Sequence, residues 1–144
     1  MVGIVIASHG QFAEALLATA EQIVGPLPQV ATCNVDTGAS PDQIRQRIGE
    51  AVKEVDTGAG ALVFADLIGG SPCTQSLSLC RSLQLEVVTG VNLPMLLKAQ
   101  ALRATSRSLF ELAHAVVEYG SRSITCATDK VARDPAPVPS VNGV

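Results

Sequence analysis

The sequence predicts a single α/β domain with a doubly wound, mostly parallel sheet. Two observations lead to this fold class. Short apolar runs typical of buried strands alternate with longer segments whose apolar residues recur at helical spacing. Such alternation implies parallel pairing of the strands through right-handed crossovers. A chain of 144 residues is the size of one domain, so we expect one continuous folded unit.

Four apolar runs are predicted as strands, and their composition indicates where each lies in the sheet. Residues 3–7 (GIVIA) and 60–65 (GALVFA) are almost entirely apolar, as expected of central strands covered on both faces. Residues 30–35 (VATCNV) and 84–89 (QLEVVT) are more polar, which suits flanking positions. With the two most apolar strands side by side, the predicted strand order is 2-1-3-4.

The predicted helix boundaries rest on N-cap, proline and glycine signals. In chain order these signals are Gly25-Pro26 at the end of the first helix, Ser40-Pro41 and Thr57-Gly58 around the second, Ser71-Pro72 before the third, Pro94 at the start of the fourth and Gly120 at the end of the fifth. In the third helix, Ser71 is the predicted N-cap and Pro72 the first helical residue, with the end near Ser82.

The last segments do not follow the strand–helix alternation. Residues 122–127 (RSITCAT) are predicted as a fifth, short strand, and no crossover helix follows them. Residues 129–144 are proline-rich with few apolar anchors, so we predict a disordered tail after a folded domain of residues 1–128.

Composition excludes several classes of protein. The net charge is −3 with no basic cluster, which argues against nucleic-acid binding. No stretch approaches the roughly 18 apolar residues of a membrane span, so direct membrane insertion is not expected. The four cysteines contain no C-x-x-C pair, which argues against a disulfide framework or a zinc site and favours reduced thiols in a cytoplasmic protein.

Two polar residues follow the predicted central strands. His9 comes at the end of the first strand and Asp66 directly after the third, and a sheet of order 2-1-3-4 has its switch point between these strands. The two side chains should therefore meet. A carboxylate bonded to one ring N–H fixes the imidazole tautomer and stabilises the positive ring that forms when the other nitrogen attacks an electrophile. We interpret His9 as a phosphoryl-accepting nucleophile and Asp66 as the residue that orients it.

The turn after Asp66 has the composition of an anion site. Gly69, Gly70 and Ser71 precede a predicted helix, and free backbone N–H groups at a helix N-terminus bind phosphate. An ordinary tight turn, and a capping or core role for His9, are the alternatives. His114 shares a helix face with Glu111 and Glu118, opposite the apolar stripe, and is predicted to be a solvated surface residue.

With these motifs, the sequence resembles the IIA domain of the mannose (mannose/fructose/sorbose) family of the phosphoenolpyruvate-dependent sugar phosphotransferase system. The likeness covers about residues 2–127, and the matching segments occur in the same order and spacing. These segments are IVIASHG with His9, ALVFADLIGGSP with Asp66 and Ser71, and GVNLPML with Asn92 and Pro94.

The resemblance implies a phosphotransferase that works as a phosphocarrier. It implies that His9 accepts a phosphoryl group from phospho-HPr on Nε2 and passes it to a IIB component, with a membrane permease complex as a further associate. It also implies that Asp66 bonds Nδ1, that Ser71 with Gly69 and Gly70 holds phosphate oxygens, and that no metal or other cofactor is required.

The resemblance further implies a homodimer. In the family, the fifth strand is antiparallel and exchanged between subunits. Such an exchange would give residues 122–127 a partner, cover the edge that a monomer leaves open and bury Ile124 and Cys126.

Three other functions remain open from the sequence. A small chelatase-type metal-binding enzyme also carries Ser-His-Gly after a first strand, but it needs a second cluster of ligands that the pattern does not supply. The phosphocarrier subunit of dihydroxyacetone kinase resembles the same fold but lacks the GGSP and GVNLPML segments. A regulatory phosphorylation-state sensor would use His9 in the same chemistry. The transported sugar is not encoded in these motifs.

Overall fold

The sheet positions the candidate site. The computed structural model describes residues 1–131 and Pro139. Its sheet has four strands, all parallel, in the order 2-1-3-4, which confirms the predicted order. The strands are β1 (Gly3–His9), β2 (Val30–Val35), β3 (Ala61–Ala65) and β4 (Leu85–Val88).

Among the described residues, five α-helices cover the sheet. They are α1 (Phe12–Val24), α2 (Pro41–Val55), α3 (Ser71–Ser78), α4 (Leu93–Leu102) and α5 (Leu109–Arg122), with short 3₁₀-helices at Leu79–Arg81 and Ala127–Lys130. The predicted start of α2 is confirmed. Ser40 and Gln43 form a reciprocal capping box, in which each side chain accepts the backbone N–H of the other residue.

The core has two apolar layers, one on each face of the sheet. Successive residues of a strand point to opposite faces, so β1 and β3 contribute to both layers. On one face, Ile4, Ile6, Leu62 and Phe64 pack against α1, α4 and α5. On the other face, Val5, Ala7 and Val63 pack mainly against α2. This two-sided burial explains why the two central strands are almost entirely apolar.

The start of α3 differs from its prediction. Gly70, not Ser71, is the N-cap, and Ser71 and Pro72 are the first two helical residues. The carbonyl of Gly70 accepts the N–H of Thr74 at 2.9 Å, so the helical bonding begins one residue earlier. The α-helix also ends earlier, at Ser78, and continues as the 3₁₀ turn up to Arg81.

The single chain does not show the predicted fifth strand at residues 122–127. Helix α5 continues to Arg122, and residues 123–126 pair with no strand among the residues that the structure describes. Gly120 does not end the helix. A Cβ at this position would lie 2.3 Å from Met95 Cγ, so the glycine permits close packing of α5 on α4. A strand forms only where a partner supplies its hydrogen bonds. Without such a partner in the single chain, Ile124 is 76% exposed.

The predicted tail lies mostly outside the described residues. Residues 127–130 form a 3₁₀-helix, so ordered structure extends slightly past the expected domain boundary at residue 128. Residues 132–138 and 140–144 are not among the described residues. Within the described part of the chain, no helix has the length and apolar character needed to cross a membrane.

Arg103 lies at the opposite edge of the sheet from His9. It directly follows α4, is 1% exposed, and donates hydrogen bonds to the carbonyls of Val2, Pro28 and Gln29 at the amino ends of β1 and β2. Desolvation by burial lowers the pKa of this arginine from its ordinary value. No sequence pattern identified it, since its partners are at least 74 positions away in the chain.

Candidate active site

His9 and Asp66 meet at the carboxyl edge of the sheet, as predicted. His9 is the last residue of β1, and Asp66 follows the last residue of the neighbouring parallel strand β3. His9 Nδ1 lies 2.8 Å from Asp66 Oδ2. The side chain of His9 is 51% exposed and that of Asp66 is 15% exposed, so the imidazole is accessible while its partner is largely covered.

Asp66 is held by three hydrogen bonds. Its Oδ2 accepts both the ring Nδ1 of His9 and the backbone N–H of His9, the latter at 2.9 Å, and its Oδ1 accepts the N–H of Leu67 at 2.9 Å. Burial alone would raise the pKa of Asp66, but these hydrogen bonds and the charge of His9 together lower it below the ordinary value. Asp66 is therefore ionised at neutral pH.

The ionised carboxylate determines which ring nitrogen of His9 can react. A carboxylate only accepts hydrogen bonds, so Nδ1 must carry the proton in this contact. In the neutral ring, the lone pair is then on Nε2. Among the described residues, no hydrogen-bonding partner contacts Nε2, which leaves this nitrogen available to an electrophile from outside the protein.

The turn from Gly69 to Ser71 lies beside the ring. Gly69 has φ +80°, a left-handed conformation that favours glycine, and it directs the chain into α3. Within the described part of the chain, the N–H groups of Gly70 and Ser71 donate to no acceptor. Ser71 and His9 line one depression of about 270 Å³, together with Gly10, Asp36 and Thr37. Free N–H groups and the α3 dipole favour an anion beside Ser71, whereas the carboxyl side chain of Asp36 lies on the same depression.

Sequence reasoning missed Ser8. Its side chain is fully buried, and its Oγ accepts the N–H of Ala13 at 2.7 Å and donates to the carbonyl of His9 at 3.1 Å. The N-cap of α1 is Gln11, which provides no side-chain cap, so Ser8 takes over this task from the preceding strand. A serine five residues before its partner is outside the usual capping spacing, which is why the pattern did not identify it.

The other predicted polar residues lie away from this pair. His114 is exposed on α5, where its ring stacks on Phe110 at a centroid distance of 4.0 Å, which confirms the predicted surface position. Asn92 caps α4 by accepting the N–H of Met95 at 3.0 Å. In the part of the chain that the structure describes, no three His, Cys, Asp or Glu side chains are grouped as around a metal ion.

Comparison with known proteins identifies the family. The EIIA-man family, described as "PTS system fructose IIA component", matches residues 3–117. This chain belongs to the mannose family of phosphotransferase-system IIA components. The match covers both central strands and the whole His9–Asp66 site.

Individual members of the family are similar over most of this chain. The "PTS system mannose-specific EIIAB component" of Escherichia coli K12 is 31% identical over 140 residues, which are 96% of this chain and 43% of that protein. The chain thus spans less than half of that relative. The phosphotransferase system component EIIA of Streptococcus agalactiae superposes with a TM-score of 0.82 at 27% identity, covering 90% of this chain and 99% of the other.

One relative is a regulator. The "Transcriptional regulatory protein LevR" of Bacillus subtilis is 27% identical over 99 residues, which are 68% of this chain and 10% of that protein. Similarity to this IIA domain therefore occurs in proteins with a regulatory name as well as in transport components.

Proposed function

We propose that this IIA domain is a phosphohistidine carrier of the phosphoenolpyruvate-dependent sugar phosphotransferase system. It accepts a phosphoryl group from phospho-HPr on Nε2 of His9 and passes it to a IIB component. The observation that carries the proposal is the 2.8 Å contact between His9 Nδ1 and Asp66, which leaves Nε2 as the free ring nitrogen of an exposed side chain.

The transfer step is a substitution at phosphorus. The Nε2 lone pair forms the N–P bond while the bond between phosphorus and the donor breaks, and that electron pair leaves with the donor. The ring of His9 becomes positive because Nδ1 keeps its proton. Asp66 remains ionised and balances this charge across the 2.8 Å hydrogen bond, and the same geometry serves the onward transfer to the acceptor.

The phosphoryl oxygens are held by neutral donors in this proposal. Gly69 shapes the turn, Ser71 lines the depression beside His9, and the donors in this proposal are the free N–H groups of Gly70 and Ser71 with the Ser71 hydroxyl. The loops at this edge of the sheet, residues 9–11, 36–40, 66–70 and 89–92, contain no lysine or arginine. Without a fixed cation, the phosphoryl group is stabilised but not trapped, which suits a carrier.

The proposal includes the surroundings in which the carrier works. Its partners are phospho-HPr as donor, a IIB component as acceptor and a membrane permease complex as associate, and no nucleic acid. We place the protein in the cytoplasm, where its four free cysteines remain reduced.

A homodimer is part of the same proposal. Residues 123–126 lie outside any helix or strand, and Ile124 and Cys126 are exposed in the single chain. Exchange of the segment 122–127 between two subunits would bury both side chains.

Sedimentation of the full chain at micromolar concentration should give a dimer. Truncation after Lys130 should leave this dimer unchanged, whereas truncation after Gly120 should yield a monomer or an unstable protein. A full-length monomer would contradict the exchange.

A regulatory role is the second candidate, and the similarity to LevR favours it. A phosphorylation-state sensor would use the same His9 chemistry and differ only in the protein that docks. The two roles separate at the second step, because a carrier loses its phosphoryl group to a IIB component whereas a sensor retains it.

The decisive experiment is labelling by a reconstituted donor chain. Incubation with phosphoenolpyruvate, enzyme I and HPr should place an acid-labile phosphoryl group on the protein. His9→Ala should abolish this label, and His114→Ala, which changes the other histidine, should leave it intact. Label that survives His9→Ala would contradict the assignment of His9, and no label on the wild type would contradict the proposed function.

A further inference from the structure

Gly70 lies directly under the ring of His9. A Cβ placed on Gly70 would be 2.8 Å from His9 Cε1 and 3.6 Å from His9 Nε2, and the first distance is too short for two carbon atoms. Its backbone does not explain the glycine. With φ −74° and ψ 163°, Gly70 has an extended conformation that any residue adopts, whereas Gly69 has φ +80° and open space around it.

We infer that Gly70 is a positioning residue for phosphoryl transfer, because its bare backbone is the surface on which the His9 ring rests. This inference rests on the proposed function of His9 and adds a role beyond phosphate binding. The missing side chain allows the ring to reach Asp66 and leaves the approach to Nε2 open from the side of α3.

The ring has little freedom to avoid a side chain at position 70. Its Nδ1 is bonded to Asp66 Oδ2, and the same oxygen accepts the backbone N–H of His9, so the two residues hold each other at two points. On the turn itself, the Cγ of Leu67 lies 3.6 Å from the same Cβ position, which restricts a shift of the turn. A methyl group would therefore tilt the ring and lengthen the bond to Asp66.

A tilted ring loses two properties at once. The Nδ1–H tautomer is no longer selected by the carboxylate, and Nε2 no longer points where the phosphoryl group arrives. A displacement of about 1 Å at a reacting group costs on the order of 10²-fold in rate.

Substitution by serine separates this role from a structural one. Gly70 is the N-cap of α3, and serine is at least as good as glycine at an N-cap. Gly70→Ser should therefore melt at the wild-type temperature or above, while its Cβ meets the His9 ring. Gly70→Ala places the same Cβ without the hydroxyl. Gly49→Ala is the matched control, because a Cβ there meets only the Leu79 side chain at an ordinary 3.7 Å.

The labelling reagent should be phosphoramidate, a small phosphoryl donor that requires no docking surface. The Nε2 lone pair of His9 forms the N–P bond as the P–N bond of phosphoramidate breaks, and the leaving nitrogen departs with its electron pair as ammonia. We expect Gly70→Ala and Gly70→Ser to react on the order of 10²-fold more slowly than wild type, and Gly49→Ala to react at the wild-type rate.

Nitrogen-15 NMR of the His9 ring gives a second readout, which a merely structural role would not move. The wild type should show the Nδ1–H tautomer, and both Gly70 variants should show a mixture. Adding Gly70→Ala to Asp66→Asn should slow the reaction little further, because both changes break the same contact. Gly70 variants that keep the wild-type tautomer and react within about threefold of wild type would overturn the inference.

The outcome is distinguishable from failure of the proposed function. If phosphoramidate labels His9 with the expected loss in the Gly70 variants but phospho-HPr does not label the wild type, the positioning role of Gly70 holds and the proposed donor is wrong. If phospho-HPr labels wild type and Gly70 variants equally well, the carrier function holds and the positioning role is wrong.

Discussion

The two edges of the sheet each carry a charged side chain bonded to backbone groups, but the charge at the carboxyl edge holds a half-exposed neighbour and the charge at the amino edge is enclosed. At the carboxyl edge, Asp66 accepts two backbone N–H groups and the ring of the half-exposed His9. At the amino edge, Arg103 is 1% exposed and donates to three backbone carbonyls. Asp66 is largely covered but contacts a side chain that solvent reaches, whereas Arg103 is enclosed.

The difference shows how one kind of interaction serves two purposes. A buried charge is costly unless hydrogen bonds satisfy it, and Arg103 donates to three carbonyls at the amino ends of β1 and β2, of which that of Gln29 also accepts the N–H of Ile4. Its contribution is therefore to the fold. Asp66 holds a neighbour that remains accessible, so its contribution should appear in the rate of phosphorylation more than in stability.

Removal of the buried arginine should have the largest effect on stability. Arg103→Met keeps an apolar side chain of similar length but leaves the carbonyls of Val2 and Pro28 without the Arg103 donor and that of Gln29 with the N–H of Ile4 alone. We expect a loss of about 3 kcal/mol in the free energy of unfolding, measured with urea. The rate of His9 labelling in the folded protein should stay within about threefold of wild type. Equal stability of Arg103→Met and wild type would show that water satisfies these carbonyls.

Substitution of Asp66 at the carboxyl edge should reduce the rate of phosphorylation more than the stability. Asp66→Asn keeps the size of the side chain and removes its charge, so the imidazolium formed in the proposed transfer would lose its counter-charge. We expect phosphorylation of His9 to slow on the order of 10²-fold or more, with the fold retained. Labelling by phospho-HPr, quenched at successive times, measures the rate of phosphorylation, and circular dichroism checks the fold. A rate within about threefold of wild type would show that Asp66 does not act on His9.

The pH dependence of stability should show a smaller effect. The folded-state pKa of Asp66 is lowered, so its ionised form adds stability above the ordinary aspartate pKa of about 4, and this contribution is lost as the pH falls through the lowered pKa. The difference in unfolding free energy between wild type and Asp66→Asn should therefore shrink as the pH falls from 7 towards 3. A difference that stays constant over this range would mean that Asp66 has an unperturbed pKa.

Much of the fold and half of the candidate site follow from short stretches of sequence. Apolar runs of five or six residues indicated the strands, and their relative polarity indicated which two are central. Once the order was known, the rule that parallel strands end at a common edge was enough to bring His9 and Asp66 together. These inferences worked because strand periodicity and topology depend on local pattern and on a few general rules.

The remaining features depend on contacts that no local sequence pattern records. The fit of Gly70 under the His9 ring is a contact across 61 positions. The hydrogen bond between Ser8 and Ala13 replaces a helix cap that the usual capping spacing does not supply. The carbonyl partners of Arg103 lie at the amino ends of β1 and β2. The segment 122–127 has the composition of a strand, yet composition does not provide the partner whose hydrogen bonds make a strand. The sequence by itself determined the order of elements and the two facing residues. Only the tertiary structure decided which side chains touch, because close packing is set by distances of a few tenths of an ångström that no local pattern records.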